Sequence, residues 1–221
     1  MALDYKSRPA KSGKASSLVI FLHGYGADGA DLLGIGDSLA AHLPDTMFAA
    51  PDAPEPCRGN PTGFQWFPVP MFDGSSAAQM LRSLENSTAE LQRFLDKLAV
   101  DSGIPPGKTC LFGFSQGTMM SLHIGPQQKV ALAGIVGFSG RLLQAELLKT
   151  AKSKPPILLI HGDADPVVPY ESLGSAANAL KANGFEVISH TSRGVAHGIA
   201  PDGLGLALGF IQRQLTETKP Q

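Results

Sequence analysis

Short apolar runs alternate with amphipathic stretches along almost the whole chain, and this alternation limits the folds open to it. Runs at 18–22, 47–50, 109–114, 131–138, 157–160 and 185–191 have the length and apolar character of buried strands. Between them lie stretches of helical period, which predict helices over 28–41, 77–100, 116–124, 170–183 and 203–215. In the longest of these Leu84, Leu91, Leu95 and Leu98 recur at three- and four-residue steps, with Met80 and Phe94 beside them. Arg82, Glu85, Glu90, Arg93 and Lys97 occupy the opposite face, so one side packs and the other meets water. Asn183-Gly184 is a helix stop, because a C-terminal cap favours residues that tolerate a left-handed backbone. Strands that are apolar on both faces and joined by helices specify an α/β fold with a mostly parallel central sheet. No repeat or linker divides the chain, so residues 1–221 read as one domain with a core over about 15–215.

The composition excludes several function classes. A net charge of −1, with Lys and Arg scattered, gives no basic footprint for nucleic acid or an anionic membrane. The run Leu18-Val19-Ile20-Phe21-Leu22 is far too short to span a bilayer, so no stable membrane insertion is expected. The first fifteen residues are mildly basic but lack an apolar signal-peptide core, and read as an edge strand and a polar turn. Two cysteines, Cys57 and Cys110, are too few for a disulfide framework and have no metal-ligand spacing. A reduced, cytoplasmic setting with no metal is the expectation.

Residues 51–74 break the rhythm, holding six of the seventeen prolines and the only tryptophan. Proline removes backbone donors and fixes φ, so this segment reads as a long irregular loop. Phe64, Trp66, Phe67 and Phe72 fall within nine residues of it and either pack it down or line a pocket, with Trp66 the leading candidate for a pocket wall.

Gly113-Phe114-Ser115-Gln116-Gly117 joins a predicted strand to a predicted helix, the context in which G-x-S-x-G forms a nucleophile elbow. A side chain at either glycine would crowd the turn, and Ser115 would take a strained backbone conformation. Serine needs a base, and in this chain order an acid and then a histidine follow the nucleophile. His197, in the glycine-flanked loop Gly194-Val195-Ala196-His197-Gly198, is favoured over His190, which falls within a strand pattern. After the 157–160 run, Asp163 and Asp165 compete. Asp163 sits where a carboxylate serves turn amides, whereas Asp165 lies further out before Pro166, where it can reach a neighbouring loop. The backbone N–H groups of Gln116 and of Tyr25, in His23-Gly24-Tyr25-Gly26, are candidates to hold an oxyanion. That glycine-rich loop lacks the spacing and the lysine of a nucleotide site. His23 and His161 each precede a glycine at a strand end and read as structural.

Taken together, "VIFLHGYGAD" (19–28), "GFSQGT" (113–118), "HGDADPVVP" (161–169) and "GVAHGI" (194–199) resemble the phospholipase/carboxylesterase branch of the α/β-hydrolases, the branch that includes the acyl-protein thioesterases. The resemblance implies an α/β-hydrolase fold with no separate cap domain and a Ser115–His197–Asp165 triad. It also implies oxyanion donors at Tyr25 and Gln116, and no cofactor. A small-molecule or lipid-like ester is the implied substrate, and several members of the branch form homodimers. Trp66 and Phe67, with Arg141 and Leu142 after the 131–138 run, would border the substrate cleft, and Arg141 would either meet an anionic substrate group or stand solvated at a helix start. Eukaryotic thioesterases of the branch usually carry leucine at the position of Tyr25, glycine at Thr118, and Ser-Trp-Phe-Asp where this chain has Gln65-Trp66-Phe67-Pro68. The chain is therefore more similar to a bacterial carboxylesterase. A thioesterase, a lysophospholipase and a non-catalytic binding protein are the alternatives.

Overall fold

A computed structural model of the chain describes residues 3–216. Its strands are β1 (Tyr5–Arg8), β2 (Ser17–Leu22), β3 (Thr46–Pro51), β4 (Glu55–Pro56), β5 (Phe64–Gln65), β6 (Thr109–Phe114), β7 (Gly134–Phe138), β8 (Ile157–Gly162) and β9 (Val187–Ser192). Its helices are α1 (Gly29–Leu39), α2 (Pro70–Asp73), α3 (Ala77–Ser102), α4 (Gln116–Ile124), α5 (Glu171–Ala182) and α6 (Pro201–Thr216). Seven strands form one sheet in the order β1-β3-β2-β6-β7-β8-β9, and only β1 runs antiparallel, against β3.

Alternation along each strand sends side chains into two separate cores. Val19, Phe21, Phe112, Val136, Phe138, Leu158 and Ile160 face α1 and α6, where they meet Leu32, Leu33, Phe210 and Ile211. Leu18, Ile20, Leu22 and Leu111 point the other way, against Met119 and Met120 of α4 and Leu84, Leu91 and Leu98 of α3. Further along that face, Ile135, Ile157 and Leu159 pack on Leu173, Ala177 and Leu180 of α5. The sheet is thus covered on both sides, as its near-continuous apolar strands require.

Parallel registers hold the C-terminal strand ends level, with Phe114 beside Phe138, Phe138 beside Ile160 and Ile160 beside His190. The loops that follow β6, β7, β8 and β9 therefore open at one edge of the sheet, where ligands bind in folds of this architecture.

Three expectations need revision. The strand expected at 185–191 begins at Val187, because Gly184 takes φ +81° and the Phe185 amide still bonds Leu180 O, closing α5. The strand expected at 131–138 begins at Gly134, and the Ala133 amide instead turns toward Thr109 O and Pro106 O at 2.9 and 3.2 Å. The loop at 51–74 contains ordered structure, an antiparallel β4–β5 pair and the single turn α2, whose Pro70 occupies the start of a helix, where its missing N–H costs nothing.

Phe112 is fully buried, edge-on to Phe21 at 5.1 Å and stacked on Phe138 at 5.2 Å. Phe112→Ala is expected to lower the free energy of unfolding by about 3–5 kcal/mol in urea titration, with no change in the folded far-UV spectrum.

Candidate active site

Ser115 stands in the turn between β6 and α4 with φ +53° and ψ −115°, a backbone conformation few serines adopt. Such strain costs about 1–3 kcal/mol and must be held in place by its surroundings. Here the Ser115 amide bonds Phe138 O at 2.9 Å, and Thr118 Oγ1 donates toward the carbonyls of Phe138 and Gly113 at 2.7 and 2.9 Å. Both flanking glycines are sterically required. A Cβ at Gly117 would lie 1.7 Å from Leu22 O, and one at Gly113 would lie 2.4 Å from the Gly117 backbone. Thr118 packs in turn on Gly137 and Gly140, where a Cβ would lie 2.5 and 2.4 Å from its side chain.

The loops after β8 and β9 interlock. Ala164 N bonds Val195 O at 3.1 Å, Asp163 Oδ1 accepts from Gly194 N at 2.6 Å, and Gly162 has no room for a Cβ against Val195 O. Asp163 therefore ties the histidine loop to the acid loop. Asp165, two residues on, accepts from His197 Nδ1 at 2.7 Å through Oδ2, while Oδ1 accepts from the amides of Val167 and Val168 at 2.8 and 2.9 Å. Its side chain has no exposed surface. Burial pushes this carboxyl up, but the His197 bond and the two amides outweigh burial and hold it below the ordinary carboxylate value. An ionised Asp165 fixes His197 with its proton on Nδ1, leaving Nε2 free to accept. The imidazole packs on Phe114, the residue before Ser115, with ring centroids 4.9 Å apart.

His190 bonds Asp202 at 2.8 Å through Nε2, on the exposed β9 edge and away from this arrangement. The amides of Tyr25 and Gln116 are not used by any turn or cap hydrogen bond among the described residues, so both remain available as donors. The Tyr25 side chain turns away into the proline-rich segment. Its ring meets Phe72 at 6.1 Å and its hydroxyl reaches Asp73 Oδ2 at 3.4 Å. Burial, followed by the Cys57 thiol and the Asp73 carboxylate, pushes the Tyr25 hydroxyl up.

The sequence profile of the phospholipase/carboxylesterase family matches residues 5–215. This chain belongs to that family. The family member acyl-protein thioesterase 1 of Gibberella zeae is 31% identical to it, over 94% of each chain. Esterase YpfH of Escherichia coli is 29% identical, covering 90% of this chain and 83% of its own. The crystal structure of esterase PE8 superposes with a TM-score of 0.92 at 42% identity, covering 97% of this chain and all of that one. The fold is the α/β-hydrolase fold, and the chain is a hydrolase of this esterase and thioesterase family.

Trp66 does not stand on an open wall as expected. It is fully buried, with Nε1 bonded to His23 O at 3.0 Å, its amide to Gln116 Oε1 at 3.1 Å and its carbonyl to the Ser87 hydroxyl. Phe67 is likewise buried. Both anchor the proline-rich segment, because a backbone with few of its own donors must be tied down by side chains. Arg141 and Leu142 do reach a groove, of about 300 Å³, opposite Glu171, Ser172 and Ala176 of α5, but Ser115, Asp165 and His197 do not line it.

Two contacts were not legible in the sequence. Gln116, expected to act only through its amide, also uses its side chain as a two-way latch, with Nε2 donating to Phe67 O at 2.7 Å. His161 reaches the Asp165 carboxylate, with Nε2 3.2 Å from Oδ2. Gln116→Leu strands Trp66 N–H and Phe67 O without partners in a buried site, so a loss of about 2–4 kcal/mol in urea unfolding is expected.

His23 is buried and neutral. Nε2 accepts from Ala53 N at 3.0 Å, so Nδ1 carries the proton and donates to Gly24 O at 2.8 Å. Burial, only partly opposed by the Gly24 bond and nearby aspartates, lowers its pKa below 6.5, and burial lowers His123 in the same way. The unfolded chain then binds more protons than the native one. This contribution to stability is complete above pH 6.5 and declines as pH falls below it. Urea midpoints are expected to fall between pH 7.5 and 5.5, and a midpoint that is flat or rising over that interval would contradict the assignment.

Proposed function

We propose that this protein is a serine carboxylesterase that works through an acyl-enzyme. The observation that carries the reading is the 2.7 Å bond between His197 Nδ1 and Asp165 Oδ2, at the sheet edge where Ser115 is held at φ +53°. Ser115 Oγ attacks the ester carbonyl carbon as His197 Nε2 takes its proton. The oxyanion is met by the amides of Tyr25 and Gln116, the second at the N-terminus of α4. Collapse of the tetrahedral intermediate breaks the carbon–oxygen bond of the ester, and His197 gives its proton to the departing alcohol. Water, deprotonated by the same histidine, then attacks the acyl carbonyl and releases the acid and Ser115. Asp165 stays ionised throughout, orienting the imidazole and stabilising its cation. This chemistry requires a hydrogen bond from Ser115 Oγ to His197 Nε2 to form when substrate fills the site, as catalytic hydrogen bonds commonly tighten at that stage. Arg141 and Leu142 line the separate groove against α5, so they are given no contact with the reacting carbonyl.

Relatives named acyl-protein thioesterase favour a second reading, in which a thioester is the preferred substrate. Ser115→Ala is expected to reduce kcat on a nitrophenyl ester by about 10⁴-fold or more and to abolish labelling by a fluorophosphonate, with the fold intact. Matched ester, thioester and lysolipid substrates separate the readings. Thioester turnover a hundredfold above ester turnover would replace the first reading with the second.

A further inference from the structure

His161 ends β8 and is buried, with Nε2 3.0 Å from Val168 O and 3.2 Å from Asp165 Oδ2. Two acceptor oxygens face this one nitrogen, so Nε2 must carry a proton: a bare lone pair there would be repelled by both. The same residue, Val168, donates its amide to Asp165 Oδ1 at 2.9 Å. Its peptide units are therefore held at both ends, one by the carboxylate and one by the His161 N–H. Tyr170 seals the imidazole from above, ring to ring at 6.2 Å in a T-shaped contact, and is itself tied to Thr191 of β9 at 2.7 Å.

We propose that His161 is a positioning residue, whose N–H between Val168 O and Asp165 Oδ2 holds the acid in the rotamer that meets His197. Without this N–H, Oδ2 is held by His197 alone, and Val168 O loses its bond to the imidazole. The carboxylate, still held at Oδ1 by the Val167 and Val168 amides, can then turn Oδ2 away from His197, which loses its fixed tautomer. The titratable side chains in contact here are Asp165, His197, His161 and Tyr170, drawn from the loops after β8 and β9. This inference rests on the Ser115–His197–Asp165 reading above.

The test compares His161→Leu, which removes the donor, with His161→Gln, whose amide nitrogen can replace Nε2. On a nitrophenyl ester, His161→Leu is expected to lower kcat at least tenfold with KM within about twofold. His161→Gln should recover most of kcat. A second readout does not depend on turnover: the downfield proton resonance of His197 Nδ1–H should persist in the wild type and His161→Gln and be lost or broadened in His161→Leu. Wild-type kcat and resonance in a folded His161→Leu overturn the proposal and leave the triad standing. Equal losses in both variants also overturn it, by showing that the imidazole acts only as packing. Undiminished turnover in Ser115→Ala instead overturns the triad, and the positioning role with it.

Discussion

The chemistry of this molecule depends on how closely α4 approaches the backbone of β2. Gly117 sits so near Leu22 O that no side chain fits between them, and Gly113 sits as near to Gly117. That approach drives the chain through a left-handed turn at Ser115, a conformation costing about 1–3 kcal/mol that few isolated serine peptides would populate. The cost is offset by bonds worth about 1 kcal/mol each, one from the Ser115 amide to Phe138 O and one from the single Thr118 hydroxyl proton, shared between the carbonyls of Phe138 and Gly113. A nucleophile candidate and the N-terminal amide of α4 are thereby held by rigid elements rather than by a flexible loop.

Around that turn the remaining groups are held by side chains bonded to backbone. Gln116 clamps Trp66 and Phe67, Trp66 reaches His23 O, and His23 reaches Ala53 N, a chain of contacts that links the Ser115 turn, the loop after β2 and the proline-rich segment. Such a chain is needed because the prolines leave that segment few donors of its own. On the other side, Asp163 and Ala164 lock the acid loop to the histidine loop, so that Asp165 and His197 meet although they come from neighbouring but separate strand ends.

Much of the frame was readable from periodicity. The alternation of apolar runs with amphipathic stretches placed the parallel strands and the long helix, whose predicted apolar face of Leu84, Leu91, Phe94, Leu95 and Leu98 is the buried one. Boundaries slipped where a local hydrogen bond outranked hydrophobicity, as at Phe185, whose amide closes α5 instead of entering β9. The proline-rich segment was correctly excluded from the main sheet, but its short β4–β5 pair and its aromatic anchors depend on partners far away in the chain. Trp66 shows why. A large aromatic near a predicted site suits a pocket wall and a core equally well, and only the positions of His23, Ser87 and Gln116 decide between them.

The sequence by itself determined the α/β architecture, the G-x-S-x-G turn and the order in which serine, aspartate and histidine follow one another. These are local properties, set by side-chain period, by glycine and proline backbone preferences and by position relative to strand ends. The tertiary structure alone decided the distances at which Asp165 meets His197 and Asp163 the Gly194 amide, that Trp66 is buried, and that His161 lies against Asp165. Each of those outcomes turns on distances of about 3 Å between loops from different strands. Only the parallel register of the sheet sets such distances, because it fixes which strand ends lie side by side.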